Sequence, residues 1–267
     1  MGLLTTLPLF AQHHGGGHDQ GEKKRNWMLM LGAGGVYQPL YDGSDKGRIE
    51  PFPYFNGEYT ISDFALFASI EEGAGGRYTL PALGAFVESG VNMGKQRDPD
   101  HKSVRQLLRD TPQLTNPVSA FAAAGSRGPW GKLLLKTEYF ATRADYAPSI
   151  SRDIAYNALL LSAKYRYETF IIENILVGGG VRVNFMNDDY AKAYHGVKYE
   201  TATLKKFSAG AGIHSVTVEY LFLFFFSEHI GTGIFGKSSY LLGDAAASPL
   251  TKTRYCSETG VLALYNF

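Results

Sequence analysis

Three histidines stand together near the start of the chain, in His13-His14-Gly-Gly-Gly-His18. Neutral imidazoles bind zinc, copper or nickel. No cysteine or carboxylate accompanies these three at a fixed spacing, so the run reads as a solvated tail. Gly32-Ala-Gly-Gly35 and Gly178-Gly-Gly180 have the glycine density of a phosphate loop. A dinucleotide fingerprint needs a helix directly after its glycines, whereas Pro39 and a turn follow the first run; both read as places where strands curve or pack closely. Asp98 and Asp100, like Asp188 and Asp189, lack the loop spacing and closing glutamate of an EF-hand and read as solvated loop carboxylates. Serine, histidine and aspartate are all present, but no Gly-x-Ser-x-Gly elbow places a nucleophile. Cys256, the single cysteine, cannot form an internal disulfide and reads as a small residue inside a strand. The expectation is a chain with no catalytic, cofactor-binding or metal site, and not an enzyme.

One set of charges is better organised. Lys132, Lys136, Glu138, Lys164, Arg166 and Arg182 fall at even positions in segments whose odd positions are largely apolar: Leu133, Leu135, Tyr139 and Ala141; Leu159, Leu161, Ala163, Tyr165 and Tyr167; Val177, Val181, Val183 and Phe185. Period-two alternation is the signature of strands with two unlike faces. In a soluble sandwich the polar face is the surface. In a membrane barrel lipid lies outside and a polar lumen inside, and these charges then either neutralise one another as a plug or line a small pore.

Composition narrows the choice. The chain carries 17 Tyr, 17 Phe and 31 Gly, which favours an all-β fold, because aromatics suit a pleated surface and glycines suit its bends. A net charge of +1 gives no electrostatic reason for a nucleic-acid partner. The longest apolar run, Tyr220 to Phe226, is far shorter than a membrane helix. A membrane protein without such helices must close its backbone hydrogen bonds in a barrel. Aromatic placement favours the barrel over the sandwich. Trp27 and Tyr37 stand at the two ends of one apolar stripe, spaced like the two interfacial girdles, and Val216, Val218, Tyr220, Phe222, Phe224 and Phe226 form a stripe suited to lipid.

The expected fold is an antiparallel transmembrane β-barrel of about 12 strands, with 10 as the alternative. The strands are placed at 27–38, 48–59, 62–71, 83–95, 116–126, 130–143, 156–167, 173–185, 203–214, 215–228, 230–240 and 256–267. Residues 1–11, an apolar run ending at Ala11 with no preceding Lys or Arg, are expected to be a signal peptide, truncated or atypical. Residues 12–25 form a polar His/Gly tail, and 26–267 the barrel. Val261, Ala263, Tyr265 and Phe267 share the face of the last strand, with Tyr265 and Phe267 expected to form the signal read by the outer-membrane assembly machinery. With both termini periplasmic, this strand list puts the long connections 96–115, 144–155 and 186–202 in the periplasm as well. That is unusual, since such barrels keep short turns there.

Three segments carry a family resemblance. Leu31-Gly-Ala-Gly-Gly-Val-Tyr-Gln-Pro-Leu-Tyr-Asp-Gly-Ser-Asp45, with Pro39, Tyr41, Gly43 and Ser44 and then Pro51 and Pro53, resembles the opening of the MltA-interacting protein (MipA/OmpV) family. Leu241-Leu-Gly-Asp-Ala-Ala-Ala-Ser-Pro-Leu250, with Gly243, Asp244, Ser248 and Pro249, resembles the connection before that family's last strand. Ala193-Tyr-His-Gly-Val197 resembles its recurrent Tyr-x-Gly-Val element. Gly94-Lys-Gln-Arg-Asp-Pro-Asp-His101 is less acidic than the family's corresponding loop. The resemblance implies a cell outer-membrane protein, embedded in the lipid bilayer, that acts in some members as a scaffold joining a murein hydrolase to a murein synthase. Other members are described as porin-like, adhesive or linked to osmotic and antibiotic response.

Overall fold

The computed structural model describes residues 26–93, 113–114, 118–145, 154–200 and 204–267. The expected signal peptide and His tail, and Gly94 to His101 with Asp98 and Asp100, lie outside the described residues. The strands are β1 (Trp27–Pro39), β2 (Gly47–Ile61), β3 (Phe64–Ser69), β4 (Gly73–Leu80), β5 (Ala85–Met93), β6 (Gln113–Leu114), β7 (Val118–Gly128), β8 (Gly131–Asp145), β9 (Ile154–Ile172), β10 (Ile175–Met186), β11 (Gly212–Phe225), β12 (Ile230–Leu241) and β13 (Tyr255–Asn266). Among the described residues no helix is long and apolar enough to cross a membrane. The crossing is made by strands.

Each strand pairs antiparallel with its neighbours, and the ring closes where β1 meets β13. The two-residue β6 pairs with β8 at Leu114↔Ala144, while Ala144 also pairs with Ile154 of β9. β6 therefore lies on the flank of β8 that β7 occupies and extends that position, so the barrel has twelve strand positions. Closure leaves no edge strand for lipid to meet.

One expected strand is wrong and one strand is missing, and the two errors cancel in the count. β4 was absent from the sequence reading, which ran 62–71 and then 83–95. Conversely, 203–214 is a strand only from Gly212 onward. The missing strand lies before residue 94, so it reverses the direction of the expected strands from 83–95 to 173–185, until the false strand at 203–214 restores it. Trp27 and Asn266 stand at the same end of the barrel as the short turns at 62–63, 81–84, 129–130, 173–174 and 226–229. The long connections 94–117, 146–153, 187–211 and 242–254 leave from the opposite end. The expectation that long loops share the side of the termini is thus corrected, and the arrangement is the usual one for outer-membrane barrels.

The interior also departs from a polar lumen. Nearest the end with the termini, Met30, Phe52, Tyr54, Leu176, Leu221, Leu223, Phe225, Phe235, Leu262 and Leu264 point inward and pack into an apolar cluster. A belt of ion pairs lies above part of it, and a second apolar cluster fills the far mouth. Inward glycines make room for this packing. A Cβ on Gly260 would run into the Phe235 ring, and one on Gly178 would meet Glu168 Cγ at 2.8 Å. Gly178 and Gly180 leave the room that Glu168 and Arg166 of β9 occupy.

The prolines of β2 have a related logic. Ile70 N–H donates to Phe55 C=O, so the odd residues of β2 direct their backbone groups towards β3. β3 pairs only with Asn56 to Ile61. Pro51 and Pro53 are odd residues beyond that ladder, where the missing N–H breaks no β2–β3 hydrogen bond.

Candidate functional site at the capped mouth

The connections opposite the termini fold into a cap. It contains α1 (Asp188–Tyr194) and α2 (Gly243–Ala247). Asn187 caps α1, its Oδ1 accepting from Tyr190 N–H at 2.8 Å and Leu159 N–H at 2.9 Å, while Nδ2 donates to Asn157 C=O at 2.9 Å. One side chain thus starts the helix and ties it to β9. Asn187→Ala is expected to cost about 1–2 kcal/mol, read as a lower urea midpoint for loss of cap protection in hydrogen exchange. Asp188 and Asp189, read from sequence as solvated carboxylates, hold backbone instead. Asp188 Oδ1 accepts from Ala211 N–H at 2.6 Å and Asp189 Oδ2 from Asn157 N–H at 3.1 Å.

The inner face of α1 seats Tyr190, Ala191 and Ala193 inside the mouth, with Tyr190 and Tyr194 stacked on each other and edge-on to Phe140 of β8. Burial holds the Tyr190 phenol well above the ordinary tyrosine range.

The three segments that resemble family motifs meet here. Tyr41 to Ser44 form a β-turn closed by Ser44 N–H to Tyr41 C=O at 3.0 Å, with Gly43 at φ 95°. Glycine suits that left-handed position, and a Cβ would also meet Thr251. Gly43 C=O accepts from Lys252 and Thr253, its N–H donates to Cys256 Sγ at 3.2 Å, and Tyr41 O–H donates to Leu250 C=O at 3.0 Å. Ser248 O–H donates to His195 C=O at 2.6 Å, and Asp244 accepts from Gly210 N–H at 2.7 Å. Tyr41, Val197, Leu204 and Leu250 pack together over these bonds. Pro39 ends β1 below the turn, Gly243 takes a positive φ at the start of α2, and Pro249 follows the extended Ser248. Segments about 200 residues apart in sequence therefore build one structure, which their separation in the chain conceals.

The six charges read from the alternation lie in the ionic belt, joined by partners that sequence reasoning missed. Lys164 Nζ is 2.7 Å from Glu219, which also takes Arg182. Arg166 pairs with Glu168, Lys136 with Glu138 at 2.9 Å, and Lys132 lies 3.8 Å from Glu88 and 4.0 Å from Glu72. Arg77 joins Glu88 at 2.6 Å and Glu58 at 2.7 Å, and Lys237 meets Glu258 at 3.2 Å. Among the described residues, seven inward cations meet seven inward carboxylates in these pairs, so the pairs themselves carry no net charge. The cavity between Glu72, Lys132, Leu134, Lys164 and Arg166 has a volume of about 10 Å³, room for about one water.

On the outer wall, Trp27 and Tyr37 face outward at opposite ends of β1. Tyr265 and Phe267 also face outward at the terminal rim, their rings 4.7 Å apart. Phe267 N–H donates to Leu29 C=O, extending the closing ladder by one bond.

The model of the family described as MltA-interacting protein MipA matches residues 31–267. The chain belongs to this family. No curated protein sequence matches it. Among solved structures, a bacterial polysaccharide outer membrane secretin is similar at 10% identity and TM-score 0.44, over 92% of this chain and 100% of that one. The translocator domain of the autotransporter NalP from Neisseria meningitidis is similar at 8% identity and TM-score 0.38, over 90% and 87%. The toluene transporter TbuX of Ralstonia pickettii is similar at 6% identity and TM-score 0.37, over 91% and 90%. This MipA-family chain is an outer-membrane barrel. With short turns on the periplasmic side, its cap lies on the outer side.

Proposed function

We propose that this MipA-family barrel is a non-enzymatic, non-conducting membrane anchor that holds murein-remodelling enzymes at the periplasmic face. The filled interior carries the reading. A pore needs a continuous wet path, whereas here the apolar cluster, the paired ionic belt and the cap succeed one another along the axis. What then remains for function is the surface. The family description, MltA-interacting protein, supports a murein hydrolase as partner, with a murein synthase as the second enzyme of the scaffold. Because the long loops leave from the other end, docking falls to the short turns and to the chain entering at Trp27.

Photo-crosslinkers placed at Asp63, Leu83 and Trp130 should capture a murein hydrolase in intact envelopes, while crosslinkers on the cap at Lys198 should not. The purified, folded barrel should show no stepwise conductance in planar bilayers at pH 7. Steady ion flux would favour the porin-like alternative and remove this reading.

A further inference from the structure

The barrel wall is not equally tall all round. β3 has 6 residues and β4 has 8, whereas β2 and β8 have 15 each. β2 pairs with β1 as far as Gly47, but it meets β3 only from Asn56 to Ile61. Residues 47–55 therefore rise about 20 Å past the last β3 pair, at about 3.3 Å per residue and a tilt near 40°. The strand beyond the β3–β4 hairpin is β5, about 14 Å from β2 at the usual interstrand spacing. Among the described residues, a notch thus opens in the outer half of the wall, with the turn at 70–72 as its floor.

Both sides of the notch are built to do without a partner strand. The odd residues of β2 turn their backbone groups towards it, and Phe55 C=O takes the last bond, from Ile70 N–H at 3.2 Å. Pro51 and Pro53 have no N–H, so above Phe55 the edge offers carbonyl acceptors without donors between them. Prolines so placed keep a strand from pairing there. Across the gap, a Cβ on Gly73 would run into the Val91 carbonyl oxygen, which is therefore aimed at β4. Met93, two residues on, turns its backbone the same way, and its N–H donates to Asn92 Oδ1 at 2.8 Å. On the floor, Glu72 N–H donates to Ser69 Oγ at 2.9 Å.

We propose that this notch binds an outer-leaflet glycolipid whose acyl chains carry hydroxyl or amide donors near an anionic head. The side chains exposed around it are apolar: Ile49, Ile70, Val91 and Met93. They suit acyl chains. Two bare carbonyls facing hydrocarbon are costly, and a plain acyl chain brings them nothing. A hydroxyl or amide N–H near the head of the chain donates to Pro51 and Pro53 at the depth where they stand. Lys46 and Arg48, exposed at the outer end of β2, lie beside the head, with Arg48 also held by Glu50 at 2.8 Å. Phe52 and Tyr54, 2% and 3% exposed, close the wall behind the notch, so the lipid stays outside the lumen.

Photo-crosslinking of the full chain in phosphatidylcholine vesicles containing lipid A tests this. Lipid A has hydroxylated, amide-linked chains and a phosphorylated head; phosphatidylcholine has no donor. Benzophenone side chains replace Ile49, Met93 or, as a control, Tyr240, which is exposed near the outer end of β12. Heat-modifiable gel mobility selects the folded protein in each case. Per mole of lipid, adducts at Ile49 and Met93 should favour lipid A by about fivefold or more, the net effect of one hydrogen bond. Tyr240 should show no preference. Dephosphorylated lipid A should keep most of the preference; its complete loss would assign binding to surface charge and overturn the role of the carbonyls. Equal preference at all three positions overturns the proposal, as does a crosslink from Ile49 to another part of the chain or to a second protein.

Discussion

Glu219→Gln is expected to destabilise the barrel by about 3–5 kcal/mol, because breaking a buried pair strands its charged partners. Glu219 is 2% exposed and is the shared carboxylate of Lys164 and Arg182, on β9 and β10. Glutamine keeps the shape but removes the charge that lets two buried cations lie side by side. The same change at the pairs around it should matter less. Glu138 and Lys136 are 14% and 17% exposed, so water shares their solvation. Glu50, beside Arg48 on the outer part of β2, is 32% exposed, and Glu50→Gln should be close to neutral. The urea midpoint for loss of heat-modifiable gel mobility would rank the three. A Glu219→Gln barrel within 1 kcal/mol of wild type would mean that water reaches the belt, and the argument for a sealed lumen would fail with it.

Why the cations were visible in the sequence and their partners were not follows from how a sheet is built. Lys132, Lys136, Lys164, Arg166 and Arg182 announce themselves by alternating with Leu, Val and Tyr along their own strands. Glu88, Glu219 and Glu258 become partners only through register between strands, and one residue of slip would turn them to the lipid. β4 was hidden for a different reason. Gly73, Ala74, Gly75 and Gly76 put small residues on both of its faces, so there is no polarity contrast to read, although Arg77 and Tyr78 do point opposite ways. The reverse error at 203–214 has the same origin. Leu204 and Ala209 are buried, as strand residues would be, but they cross the mouth beneath the cap. Burial was legible there; direction was not. The consequence was functional, since one strand too few before residue 94 moves the loops to the wrong side of the membrane.

The glycine run on β1 makes the sharpest test of the closing seam. Sequence reading treated Gly32-Ala-Gly-Gly35 as one feature, but its members face opposite ways. Gly34 points inward opposite Leu262, and a Cβ there would run into the Val261 carbonyl oxygen, with Leu262 Cα 2.9 Å away. Both obstacles are backbone of β13, the strand that closes the ring. Gly35 points outward, and a Cβ there would find only the Glu50 carbonyl oxygen, at 3.9 Å. Gly34→Ala must therefore push β1 away from β13 and lengthen ladder bonds in a lipid-facing wall where no water replaces them. Overpacking of this kind costs about 1–3 kcal/mol in a core, and a broken seam adds to it. The expected result is a several-fold lower yield of heat-modifiable barrel, with Gly34→Val yielding almost none. Gly35→Ala should assemble like wild type, or slightly better, since alanine loses less conformational freedom in a strand. Equal yields for the two neighbours would show that β1 and β13 do not approach as closely as the closed ring requires.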